Sequence, residues 1–122
     1  MNPPTPGQKW NIPALASNVG FLSTLVGTVG PVTGTPATPT MSVHLYRLEE
    51  NRVDEQKPHE QEEFYYVLSG SRTLIVGDDV NNQAQTDVST GDLVYVPANA
   101  PHRFVGTDEI ILLVFFAPNF SG

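Results

Sequence analysis

Apolar residues come in short runs along this chain, and turn-forming residues separate them. Met41 to Leu48 alternates between apolar and polar side chains and ends at the polar turn Glu49-Glu50-Asn51. Glu63 to Leu68 (EFYYVL) is aromatic and β-branched, Ser69-Gly70 closes it, and Arg72 to Val76 follows at once. Residues 63–76 are therefore predicted as strand, kink, strand. Gly77-Asp78-Asp79 turns the chain, and 80–90 reads as a polar connection. Leu93 to Val96 is a short strand stopped by Pro97, and Arg103 to Val105 is another. Glu109 to Ala117 (EIILLVFFA) is the most apolar run, and its nine residues suit a strand buried on both faces better than a helix.

Upstream the signal is weaker. Residues 1–13 are Pro-rich and polar apart from Trp10 and Ile12, which predicts an extended or loosely ordered arm. Residues 19–29 (VGFLSTLVGTV) suit one or two short strands, and 30–40 (GPVTGTPATPT) a loop. No segment carries a convincing helical pattern. The reading is an all-β single domain, a sandwich or small barrel, with an N-terminal arm and strands over 1–40, a barrel core over 41–117 and a tail over 118–122. So few strands leave edges to protect, by closure or by dimerisation, and the arm and segment 19–29 are the expected dimer contact.

Composition narrows the function. With 122 residues, 39% of them hydrophobic, the chain can fill one core. Its formal net charge is −7 and its six Lys and Arg residues are scattered, so no basic patch for nucleic acid or an anionic membrane is expected. No cysteine is present, which excludes disulfides, thiolate metal sites and cysteine nucleophiles. No run approaches the ~20 apolar residues of a membrane span. The first ten residues lack a basic-then-apolar signal pattern, and a cytoplasmic location is the expectation.

The candidate chemistry lies at His59, Glu63 and His102. Two histidines and one carboxylate with open positions suit non-haem Fe(II) and related divalent ions. Glu63 opens a predicted strand, and His59 would converge on it if 57–59 formed a neighbouring strand. His102 follows Pro97-Ala98-Asn99-Ala100-Pro101, a stiff turn that would present it in a fixed direction. Lys57, two residues before His59, would share its face on a strand.

These residues stand in a spaced pattern. Asn51 is followed by five residues, Lys57-Pro58-His59, three residues, Glu63, six residues and Gly70. Gly91 is followed by five residues, Pro97-Ala98-Asn99, two residues, His102, three residues and Gly106. The spacing resembles the two motifs of the cupin superfamily. That resemblance implies a double-stranded β-helix, the cupin or jelly-roll barrel, with one divalent metal ion: Fe2+ first, with Mn2+, Ni2+ or Zn2+ as alternatives. Lys57 stands where the family has its first metal-binding histidine. Asn51 and Asn99 stand for glycines, a mild change because Asn tolerates positive φ.

For Lys57 the readings are a contact to an anionic substrate or to the carboxylate, a base or nucleophile, a remnant pair with Glu63, or a side chain snorkelling to solvent. By alternation Tyr65, Val67, Thr73, Ile75 and Phe104 are expected to line a largely apolar pocket, provided that no bulge at Gly70 changes the parity. His44, on the preceding strand, is expected to be structural or pocket-lining. The expected functions are a metal-dependent small-molecule enzyme, foremost an oxygenase in which Glu63 and Lys57 are catalytic candidates; an isomerase or lyase on a polar or sugar-like substrate; and a non-catalytic ligand-binding protein. The expected partners are a small molecule and a second copy of the chain.

Overall fold

The structure is a computed structural model that describes residues 4–26, 41–77 and 83–117. It holds one short helix, α1 (Ile12–Ala16), and seven strands: β1 (Leu22–Val26), β2 (Ser42–Leu48), β3 (Glu62–Val76), β4 (Ala84–Ser89), β5 (Leu93–Val96), β6 (His102–Val105) and β7 (Ile110–Ala117). All pairings are antiparallel. The outer part of segment 19–29, the loop 30–40, the turn around Asp78 and the tail 118–122 lie outside the described residues.

The 15-residue β3 organises the molecule because it belongs to two sheets. Its first half pairs with β5 on one side and β7 on the other, and β7 continues to β2 and β1. Its second half pairs with β4 and β6. The change of sheet falls at the predicted kink. The register with β7 shifts between Val67 and Ser69, and Gly70 adopts a φ of +92°. A side chain at residue 70 would collide with the carbonyl oxygen of Glu109 and lie 2.9 Å from Ile110 Cα. Only glycine meets both conditions cheaply.

The shift also changes the parity of β3. Glu63, Tyr65 and Val67 are buried before it, and Arg72 and Leu74 after it. Thr73 and Ile75 therefore do not join the inner face with Tyr65 as alternation alone predicts; Thr73 turns out and its hydroxyl donates to Asp87 Oδ1 at 2.7 Å. The core closes between the sheets from Leu48, Val67, Leu74, Val88, Phe104, Ile110 and Leu112, among others. In β7 the buried positions alternate with half-buried ones, so its outer face is not sealed as expected.

Three further expectations need correction. Residues 57–59 form no strand; they belong to an irregular segment between β2 and β3. The supposed polar connection 80–90 contains β4, whose single buried residue, Val88, gives no alternation to read. A helix does exist in the arm: Asn11 caps α1, with Oδ1 accepting from Ala14 N at 3.0 Å, and Pro13 occupies its first turn. Those are helix-start signals, but five residues are too few for a periodic apolar face.

Buried Arg72 fastens the irregular segment to the kinked end of β3. Its guanidinium donates to the carbonyls of Asp108 (2.6 Å), Arg52 (2.9 Å) and Glu49 (3.1 Å). On the outside of β3 and β5, Phe64, Tyr66, Leu93 and Tyr95 stay exposed, Phe64 and Tyr95 with their rings 5.1 Å apart. Among the described residues no helix is long and apolar enough to cross a membrane.

Candidate metal centre

Three elements converge on one point inside the barrel. Glu63 is the second residue of β3, fixed between β5 and β7, and alternation turns it inward to full burial. His102 opens β6 after the proline turn, where Asn99 supplies a φ of +62°. His59 comes from the irregular segment, and its carbonyl accepts from Asn99 N at 2.6 Å, which ties that segment to the proline turn. Its ring packs edge-on against Phe116. One ligand atom from each of His59, Glu63 and His102 lies within 4.8 Å of the others.

The hydrogen bonds orient these groups. His102 Nδ1 sits 2.9 Å from Ala100 O, and a carbonyl can only accept, so Nδ1 carries a proton and Nε2 faces Glu63 Oε1 at 2.9 Å. The second carboxylate oxygen, Glu63 Oε2, is buried with no hydrogen-bond partner. An orphaned carboxylate oxygen costs about 1–3 kcal/mol or more, and a divalent cation would relieve that cost. The donor set of two imidazoles and one carboxylate, with the Ala100 carbonyl behind the His102 imidazole, fits such an ion.

Burial and charge set the protonation states. Burial lowers the pKa of His102, but the hydrogen bond and charge of Glu63, with the Ala100 carbonyl, outweigh it and hold the value above the ordinary range. His59 is lowered, by burial first and then by His102, against the opposing pull of Glu63. His44 falls to about 4, through burial and the neighbouring His59. Burial and the hydrogen-bonded charge of Glu63 push Tyr65 well above the ordinary range, so its phenol is neutral at pH 7.

A cavity of about 220 Å³ opens beside the cluster. Phe21, Leu22, Val114 and Phe116 form its apolar wall, and His59, Tyr65, Gln56, Tyr46 and His44 supply its polar edges. His44 turns both ring nitrogens to hydroxyls, Thr24 Oγ1 and Ser42 Oγ, each at 3.0 Å. Val67 and Phe104, expected at the pocket, lie in the packed core and do not line this cavity. Lys57 is exposed and absent from the cavity wall. The expectation that it shares a face with His59 required a strand, and that segment is not one.

Two site residues escaped the sequence reading. Asp54 is buried and accepts from Tyr46 Oη (2.9 Å), Gln56 Nε2 (2.8 Å) and Phe104 N (2.8 Å). Gln56 Oε1 in turn accepts from Tyr65 Oη at 2.7 Å. Both lie in the stretch between Asn51 and Lys57, which counted only as spacing, and no periodicity marks them.

Fold and site together define a small β-barrel protein with an internal cluster of two histidines and a carboxylate beside an apolar cavity. Residues 44–116 match the Cupin domain family, and the chain belongs to it. An uncharacterised protein of Streptomyces coelicolor is 42% identical over 80 residues, 64% of this chain and 71% of that protein. Oxalate decarboxylase OxdC of Bacillus subtilis is 32% identical over 88 residues, 70% of this chain but only 23% of the enzyme. Among solved structures, the Bacillus halodurans protein BH2720 superposes with a TM-score of 0.70 at 20% identity, covering 97% of this chain and 86% of that one. The DMSP lyase DddQ of Ruegeria pomeroyi gives 0.63 at 20% identity, over 79% and 45%. Those two structures speak for the fold.

Proposed function

We propose that this cupin is a metal-dependent small-molecule oxygenase whose ion is held by His59, Glu63 and His102. The observation that carries the proposal is the buried, unpartnered Glu63 Oε2 in a cluster whose ligand atoms lie within 4.8 Å of one another. Fe2+ suits this two-histidine, one-carboxylate set, and when bound it supplies open positions and redox chemistry for a substrate and O₂. The chain's own residues do the rest. Ala100 O fixes the His102 tautomer, Phe116 holds the His59 ring, and Phe21, Leu22, Val114 and Phe116 give the cavity an apolar wall. That wall favours a small, mainly apolar substrate over a sugar, and so an oxygenase over a sugar isomerase. Relatives named as oxalate decarboxylase and, over 54 residues, as acireductone dioxygenase of Heterostelium pallidum support small-molecule chemistry in general. Lys57 has no part in this proposal.

The test is metal analysis of protein reconstituted anaerobically with Fe2+, beside His59→Ala and His102→Ala, followed by O₂ uptake with small aromatic and aliphatic acids and alcohols. One ion per wild-type chain, loss in both variants and substrate-dependent uptake are expected. No bound metal under replete conditions overturns the proposal.

The proposal extends to a homodimer, through a different face from the arm. Phe64, Tyr66, Leu93 and Tyr95 form an exposed, mainly apolar surface, with the Glu62 carboxylate beside it accepting from Tyr95 Oη at 3.3 Å. A second copy of the same face covers it, and soluble monomers rarely leave such a surface bare. Sedimentation at micromolar concentration should show a dimer that Phe64→Ser with Tyr95→Ser dissociates; a wild-type monomer rejects it.

A further inference from the structure

Lys57, which stands where the resembled motif has a histidine, is exposed, and a buried tyrosine contacts the cluster instead. Tyr65 lies two residues beyond Glu63 on the same inward face of β3 and is fully buried. Its phenol oxygen is 3.1 Å from His102 Nε2. Glu63 Oε1 is 2.9 Å from the same nitrogen. Two donors that each sit about 2.1 Å from one ion at right angles are about 3.0 Å apart. Both contacts therefore have the spacing of neighbouring ligands around a shared centre.

The hydroxyl is also aimed. It donates to Gln56 Oε1 at 2.7 Å, and Gln56 is itself held by its amide nitrogen on Asp54. The phenol oxygen thus stands between Gln56 on one side and His102 and the charge of Glu63 on the other. Asp54 is braced in turn by Tyr46 Oη and Phe104 N, so the chain from Asp54 to Tyr65 is anchored in the core. A buried polar chain that ends on an oxygen beside a metal-ligating nitrogen is the arrangement of a supported ligand.

We propose that Tyr65 is the fourth protein ligand of the metal centre, filling the position that Lys57 cannot. The assignment rests on the metal reading of His59, Glu63 and His102, and it adds an oxygen donor where the spacing of the sequence leads one to look for a nitrogen. Ferric iron would take the Tyr65 oxygen as phenolate, the phenol proton passing to solvent. The hydroxyls of Tyr46 and Tyr95 donate elsewhere, to Asp54 and Glu62.

The test has two arms. In the first, wild-type protein is loaded with Fe2+ under argon and oxidised with one equivalent of ferricyanide. A visible phenolate-to-iron charge-transfer band, with tyrosinate modes in its resonance Raman spectrum, is expected. Absence of the band from iron-bound wild type overturns the assignment without any variant and leaves the three-residue metal reading intact. In the second, Tyr65→Phe is compared with wild type by chelator competition with Zn2+, with circular dichroism as the check on folding. The variant should bind at least about tenfold more weakly and show no band after iron loading. Equal affinity overturns the assignment. Failure of the wild type to bind either ion overturns the metal reading and this inference with it.

Discussion

At the residue scale, His102 in the centre and His44 in the cavity wall titrate in opposite senses. His102 has a folded pKa above 6.5, so the folded chain binds the extra proton. In metal-free protein its contribution to stability is full below pH 6.5 and is lost as pH rises through the folded value. Glu63→Gln removes the charge that sustains this shift. Urea melts of metal-free protein should show the alkaline loss in wild type and a flatter profile in Glu63→Gln, which should also fail to retain divalent metal. His44 runs the other way. Its folded pKa of about 4 lies below the 6.5 of the unfolded chain, so the unfolded chain binds more protons between those values. Stability should be full above about pH 6.5 and fall progressively toward pH 4, and the part of that fall absent from His44→Asn is the contribution of His44. Carboxylates elsewhere titrate in both proteins and cancel in the comparison.

At the element scale, β3 carries most of the design. One continuous strand gives Glu63 to the site, turns at Gly70, and enters the second sheet beside the strand that begins with His102. Gly70→Ala places a methyl group against Glu109 O at a φ that L-residues rarely adopt. It should destabilise the protein by about 3 kcal/mol in urea melts, from strain and overpacking together; a loss below ~1 kcal/mol would show that the kink relaxes freely. The ends of this element were legible because EFYYVL and RTLIV are apolar and glycine separates them. The face presented by its second half was not. A one-residue shift reverses every later side chain, and Gly70 marks where a shift could fall without fixing that it does. For the same reason Arg72, which alternation with Thr73 and Ile75 sets on the outer face, is a buried clasp for four backbone carbonyls. Asp54 and Gln56 were invisible on another ground: an irregular segment has no period, so its inward residues follow from tertiary contacts.

At the scale of the whole molecule, metal and fold should be linked. An ion that binds only the folded barrel at about a hundredfold over its Kd adds roughly 2.7 kcal/mol, or roughly 10 °C in Tm for a chain of this size. Thermal melts with and without Fe2+ or Zn2+ should show this rise in wild type and not in His102→Ala. An equal rise in the variant would place the ion elsewhere.

The sequence alone determined the all-β class, the strands from Leu93 to Val96 and through the run ending at Ala117, and the separation of His59, Glu63 and His102 along the chain. These follow from local physics, from side-chain alternation and from the turn chemistry of glycine, proline and asparagine. Only the tertiary structure decided which side chains meet. It turned Lys57 to solvent, brought Tyr65 Oη to 3.1 Å from His102 Nε2, and left Glu63 Oε2 buried without a partner. Those outcomes depend on one register shift and on the path of an irregular segment, both set by packing between residues far apart in sequence.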